Sequence, residues 1–226
     1  MQLYIGNKNY SSWSLRPWLL MTHAGIPFQE IKLRLSFTEG SEFKNTLKKL
    51  TPTGLVPVLV DDGLSIWDTL AIAEYLAEKF PSRQLWPADR KARAQARSVC
   101  AEMHSGFGAL RSHFPMNIEA SLPHVGAEVL RTQPAVARDV ERIVGMWTQL
   151  LVEHGGPFLF GEFGIADAFY APVVTRLRTY GVPVPEAIDG YIERVRALPA
   201  MQAWIRDALA EQDFLDFDEP YRTART

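Results

Sequence analysis

The chain has 226 residues, 47% hydrophobic and 22% charged, which is enough apolar material for one large core or two modest ones. Its 24 basic and 26 acidic side chains leave a formal charge of -2 and no long basic run, which excludes a phosphate-backbone footprint and with it nucleic acid as a partner. The single cysteine, Cys100, excludes an internal disulfide and has no Cys or His at metal spacing around it; the opening "MQLYIGNKNY" lacks the order of a signal peptide, and no apolar run approaches the roughly 18 residues of a membrane span, so a cytoplasmic protein without metal or membrane contacts is expected.

The first eighty residues alternate between two periods. "QLYI" (2–5) is a strand, and Leu15, Trp18, Leu19 and Thr22 then recur at helical spacing until Gly25, which stops the helix. "PFQEIKLRL" (27–35) alternates as a half-buried strand, and "SEFKNTLKKL" (41–50) forms a short helix. In "VPVLVDDGLSIW" (56–67), Asp62-Gly63 between two apolar runs predicts a hairpin. "DTLAIAEYLAEKF" (68–80) is helical by composition and is stopped by Pro81. The predicted order is βαβ-α-ββα.

"PSRQLWP" (81–87), with a proline at each end, is a turn-rich bridge, and from Ala88 onward strand signals give way to long helical patterns. The boundary therefore falls here: an α/β domain over 1–80, a linker over 81–87 and an all-helical domain over 88–226. Val136, Val140, Ile143, Val144, Trp147, Leu150 and Leu151 make one continuous apolar stripe, and a last helix repeats the pattern with Met201, Trp204, Ile205, Ala208 and Leu209.

"NYSSWSLRPW" (9–18) puts three hydroxyls where a strand hands over to a helix. A helix start needs one side-chain oxygen to cap it; the surplus invites a second use, stabilising an anion beside a helix N-terminus. This turn, "LTPTGLVPVLVDDG" (50–63), "SIWDTLAIAEYLAEKF" (65–80) and "FGEFGIADAF" (160–169) together resemble the cytosolic glutathione transferases, over nearly the whole chain. Ser11-Ser12-Trp13-Ser14-Leu15-Arg16 is most similar to the Ser-Ser-Cys-x-x-Arg pattern of the zeta class. The resemblance implies a thioredoxin-like N-terminal domain, an all-helical C-terminal domain, glutathione as co-substrate, a small electrophile as second substrate, and a homodimer.

A free thiol with pKa near 8.5 is only about 3% thiolate at pH 7, so such an enzyme must favour the anion, and one hydroxyl donor can do so. The resemblance assigns that donor to Ser11, with Ser12 in reserve; the bland alternative is that the serines only cap the helix. Val56-Pro57 matches the family's cis-proline turn, which offers the preceding backbone to the cysteinyl part of glutathione. Asp68-Thr69 matches the pair that holds the γ-glutamyl end, Asp68 on the ammonium and Thr69 with its helix-start N–H on the carboxylate, although an ordinary N-cap fits as well. Asp167, with Gly164 as N-cap, resembles the family's structural capping aspartate.

Two positions depart from the pattern. Trp13 stands where the zeta motif has cysteine, and Leu55 stands where relatives often carry a Lys or Gln for the glycine carboxylate. In "EMHSGFGALRSHFPMN" (102–117), on the first long helix of the helical domain, His104, Phe107 and Arg111 at i, i+3 and i+7 would share a face as second-substrate candidates, Arg111 for an anionic group and Phe107 for an apolar one. A solvated arginine and interfacial histidines are the plain alternative. The expected activity is a serine-type transferase; a maleylacetoacetate-type isomerase and a non-catalytic interaction protein are the alternatives. A redox role needs a cysteine at the first helix start, where Trp13 stands.

Overall fold

The computed structural model describes residues 1–225. The N-terminal part is thioredoxin-like, built from β1 (Gln2–Ile5), α1 (Ser12–His23), β2 (Gln29–Lys32), α2 (Glu42–Leu47), β3 (Val58–Asp61), β4 (Leu64–Trp67) and α3 (Thr69–Lys79). The sheet order is β2-β1-β3-β4, with β1 parallel to β2 and antiparallel to β3. Leu3 and Ile5 alternate into the core, as a half-buried strand requires. Asp62 (φ 48°) and Gly63 (φ 82°) are both left-handed, the backbone a two-residue hairpin needs to match strand twist. Gly25 (φ 63°) ends α1 as its sequence position suggests.

One strand is shorter than its pattern. The alternation over 27–35 pairs with β1 only over Gln29–Lys32, because Leu33 and Leu35 turn away into a second apolar cluster and Leu35 N–H donates to the Asn7 side chain instead of a strand.

The rest is helical: α4 (Arg90–Ser105), α5 (Gly108–His113), α6 (Pro123–Thr132), α7 (Pro134–Glu153), α8 (Ile165–Thr179), α9 (Glu186–Ala197) and α10 (Pro199–Ala210). The predicted stripe on α7 faces the core, though Val144 and Leu151 sit at its half-buried edge; on α10, Leu209 is 45% exposed and lies off the stripe. Helix α8 is buried along almost its whole length and packs against both α1 and α4, so it is the post on which the two parts are hung. The segment 102–117 is not one helix. α4 stops at Ser105, Phe107 takes a left-handed backbone (φ 55°), and α5 starts afresh at Gly108, so the i, i+3, i+7 relation fails.

A single apolar cluster runs from Leu3 to Trp204 and joins the two parts. At the seam, Lys8 is buried between the rings of Trp18 and Trp204 and pairs with Glu30 at 2.8 Å and with Asp207. After α10 the chain returns to the N-terminal part. Glu211 accepts from the backbone N–H of Lys8 and Asn9, and Asp213 accepts from Asn7 and Arg34.

Candidate active site

A cavity of about 550 Å³ opens where the N-terminal part meets α5 and α8, and it gathers residues far apart in sequence: Ser11, Ser12, Val56, Pro57, Asp68, Thr69 and Arg111. The surplus serines are not caps. Ser11 is the N-cap of α1, yet its side chain caps nothing; its Oγ donates to Ser14 Oγ at 2.7 Å, and Ser14 Oγ accepts the N–H of Gly6 at 3.1 Å. Ser11 is therefore an oxygen held in place at a helix N-terminus. Ser12 also faces the cavity, and its hydroxyl makes no hydrogen bond among the described residues.

The Val56-Pro57 peptide is cis. The β3–β4 ladder begins only at Val58↔Trp67, so the backbone of Val56 lies outside it, at the cavity wall. Directly after β4, Asp68 takes a left-handed backbone (φ 75°) and caps α3, its Oδ1 accepting from Leu70 N–H at 2.8 Å. Its Oδ2 lies 3.1 Å from His104 Nε2, so one carboxylate oxygen caps and the other faces the helical part. Thr69 is buried at the first turn, with Arg16 Nη1 at 3.5 Å from its Oγ1.

The second-substrate candidates separate. Arg111 lines the cavity; His104 stops short of it, touching Asp68 and the edge of Trp13 (5.2 Å between ring centroids); Phe107 is buried in the core and does not line it. The break at Gly106 and Phe107 turns α5 relative to α4 and sends the two side chains different ways. Trp13, where a cysteine was the family expectation, forms part of the wall, with the guanidinium of Arg16 stacked on it at 4.2 Å and that of Arg111 at 5.7 Å.

The sequence reading missed three groups. Arg176, on α8, is 4% exposed yet lines the cavity; its Nε donates to Phe114 C=O at 2.7 Å and its Nη1 is buried without a partner. Burial pulls its guanidinium down to about 10, with Arg111 adding to the effect, and burial pulls Arg16 down to about 9, so both remain charged at neutral pH. The signal was present: of the two arginines in the largely apolar run "APVVTRLRTY" (171–180), Arg178 reaches the surface and Arg176 lies on the buried side of the helix. Asp218 also lines the cavity, and nothing in its sequence surroundings announces it. Lys44 is not itself in the lining, but its ammonium lies 5.5 Å from the ring centroid of Phe37, which is, and beside Gly54, next to the exposed Leu55 that cannot hold an anion.

Two further groups stay outside the chemistry. Cys100 is fully buried within α4 and burial pushes its thiol well up, so it is inert. Asp167 binds the N–H of Gly164 and of Leu159 and the hydroxyl of Tyr191, each at 3.0 Å, which holds the start of α8. Among the described residues, no group of three or more His, Cys, Asp or Glu could hold a metal ion, and no helix is long and apolar enough to cross a membrane.

The sequence pattern of the glutathione S-transferase N-terminal domain matches residues 10–79, and that of the glutathione S-transferase C-terminal domain matches residues 93–207. The chain belongs to the glutathione S-transferase family. It is 30% identical to a glutathione S-transferase zeta class protein of Euphorbia esula over 73% of this chain and 71% of that one. To a maleylacetoacetate isomerase of Rattus norvegicus it is 28% identical, over 89% of each chain. Among solved structures, a glutathione transferase homolog from a Burkholderia strain, BGR1, with bound glutathione superposes with a TM-score of 0.68 at 27% identity, covering 92% of this chain and 98% of that one. The residues after 207 lie beyond the C-terminal-domain match.

Proposed function

We propose that this transferase-family protein binds glutathione in the cavity, with the two parts divided at 81–87, and activates it as a thiolate through Ser11. The observation that carries the reading is the convergence of a fixed hydroxyl, the backbone of Val56 outside the strand ladder and the Asp68-Thr69 pair on one cavity. Each supplies what one end of the tripeptide needs. A hydroxyl at a helix N-terminus favours the sulfur anion, free strand-edge backbone suits the cysteinyl amide, and a carboxylate beside a buried threonine suits the γ-glutamyl ammonium and carboxylate. Lys44 replaces the missing cation at position 55 for the glycine carboxylate.

Ser11 is favoured over Ser12 because its oxygen is already held. Ser14 Oγ takes the Gly6 N–H, so Ser14 has a proton of its own to give. When a thiolate arrives, the Ser11 proton swings from Ser14 to the sulfur and the Ser14 proton turns to Ser11, with no oxygen moving. Such a donor is organised before the charge arrives, which is what makes one worth having.

The glutathione thiolate then attacks a small electrophile held against Trp13, Arg111 and Arg176. A second reading is favoured by those arginines. The unpartnered Nη1 of Arg176 beside Arg111 suits a carboxylate, and a thiolate that adds to a cis alkene bearing carboxylates, allows rotation about the resulting single bond and leaves again would isomerise it. That is the maleylacetoacetate type of reaction.

Ultraviolet titration of bound glutathione tests the assignment. Ser11→Ala should raise the apparent thiol pKa by about one to two units and lower turnover by about 10- to 1000-fold with folding intact, whereas Ser12→Ala should do less. An unchanged pKa in Ser11→Ala with a raised one in Ser12→Ala would move the role to Ser12. Assay of wild type with aryl halides and maleyl-type diketo acids separates transferase from isomerase, and no glutathione binding at millimolar concentration would leave the fold as a scaffold.

A further inference from the structure

The segment after α10 lies beyond both family patterns, and it contributes Asp218 to the lining of the cavity. It is tied down on both sides. Leu215 is buried against Tyr10, Leu35 and Phe43, and the buried carboxylate of Glu219 accepts from Tyr10 Oη at 2.7 Å and Asn117 Nδ2 at 2.8 Å while Arg222 closes on it. Between these anchors a short turn, Asp216–Asp218, presents Asp218 to the cavity. Among the described residues the Asp218 carboxylate accepts no hydrogen bond and has no ion-pair partner; Arg176 lines the same cavity and its positive charge favours the Asp218 anion, while its own buried Nη1 is also unpartnered. Arg176 and the half-buried Asp218, each carrying a group without a partner, thus line one cavity.

We propose that Asp218 is a specificity-determining residue of the second-substrate compartment: its charge offsets those of Arg176 and Arg111 and so sets how strongly the compartment prefers a carboxylate-bearing partner over a neutral one. The other titratable or charged groups on this cavity are Asp68 at the start of α3 and Tyr10 ahead of α1, with Lys44 beside the lining residue Phe37 and Glu219 beside Asp218 on its own segment. A carboxylate drawn to Arg176 also meets the Asp218 anion, and like charges disfavour it. Removing the Asp218 charge, by substitution or by a proton, leaves two arginines to the incoming anion. Burial, with Glu219 adding to it, pushes the Asp218 carboxyl up to about 6, so the preference for anions should strengthen as pH falls through that value.

The inference rests on the glutathione reading above, since that reading makes this the compartment of the second substrate. It is tested by calorimetry with two glutathione conjugates, S-benzylglutathione and S-(4-carboxybenzyl)glutathione, so that the common tripeptide cancels and no natural electrophile need be known. At pH 7.5, Asp218→Asn and Asp218→Ala should shift the ratio of the two affinities toward the carboxylate conjugate by about 5- to 30-fold while glutathione alone binds within twofold of wild type. In wild type the same ratio should rise between pH 7.5 and pH 5.5, where the conjugate stays ionised, and in Asp218→Asn it should stay flat. A ratio unchanged in both variants, with glutathione still bound, overturns the role of Asp218 alone. Wild type that binds neither glutathione nor either conjugate overturns the glutathione reading, and this inference falls with it.

Discussion

Asp167 takes three buried donors at once, the N–H groups of Gly164 and Leu159 and the hydroxyl of Tyr191. Gly164 has no side chain with which to return a capping bond, so the carboxylate carries the start of α8 alone. Asp167→Ala should therefore cost about 3–5 kcal/mol in chemical denaturation, because it strands buried donors rather than merely deleting a bond. The pH dependence has a definite sign. Burial pushes the folded carboxyl up to about 6, above its ordinary value near 3.8, so the folded state holds a proton that the unfolded state releases between these values. The stability contribution of Asp167 is complete below about pH 4 and is lost as pH rises through about 6. The stability difference between wild type and Asp167→Asn should shrink over that window, and a constant difference would show the carboxyl titrating normally. The same residue shows what a sequence discloses: a position at N3 of a helix was readable from "GIADAF", but the two donors from outside the helix, Leu159 and Tyr191, were not, since they depend on how α9 and the preceding loop close over it.

Elements followed their patterns where burial and period agreed, and departed where a backbone feature intervened. The hairpin at Asp62-Gly63 and the stop at Gly25 were legible because a left-handed backbone is a local property with a residue preference. Phe107 is the opposite case: the glycines on either side of it, Gly106 and Gly108, signalled a stop that the side-chain spacing overrode, and the left-handed Phe107 between them severed α4 from α5 and dispersed the expected face of His104, Phe107 and Arg111. Helix packing supplies a paired test. On α6, a Cβ added to Gly126 would lie 1.8 Å from the carbonyl oxygen of Tyr180, just past the end of α8, where Leu122 N–H also donates to Thr179 C=O at 2.7 Å. Gly126→Ala must push the two helices apart and should cost about 1–3 kcal/mol or more. In the exposed middle of α7, Gly145 has nothing within 4 Å of such a Cβ, and Gly145→Ala should stabilise by about 0.5–1 kcal/mol through helix propensity alone. Urea unfolding of both variants decides it; equal shifts would mean that the α6–α8 contact yields without cost.

At the scale of the whole molecule, the change from mixed to purely helical periodicity announced two kinds of structure, but not that they share one core. That sharing is written in Lys8, a lone basic residue in the sequence, whose ammonium is buried between Trp18 and Trp204 and whose carbonyl accepts from Trp204 Nε1 at 2.9 Å. It is written again in the segment after α10, which has no periodicity to read and yet closes both the seam and the cavity. Because the apolar cluster is continuous from Leu3 to Trp204, the chain should unfold in one transition, with circular dichroism, which follows the helices, and tryptophan fluorescence, which follows six tryptophans spread over both parts with Trp18 and Trp204 at the seam, giving the same midpoint. A ligand in a cavity lined from both parts must then stabilise all of it. At a free concentration of about 100 times its dissociation constant, glutathione adds about 2.7 kcal/mol, which for a chain of this size raises the midpoint by about 5–10 °C at fixed protein concentration. Asp68→Asn, which keeps the cap on α3 but loses the charge for the γ-glutamyl ammonium, should lose most of that rise at the same glutathione concentration. Two separate transitions, of which glutathione moves only the first, would mean that the seam is a contact between independent units and that the ligand is held by the N-terminal part alone.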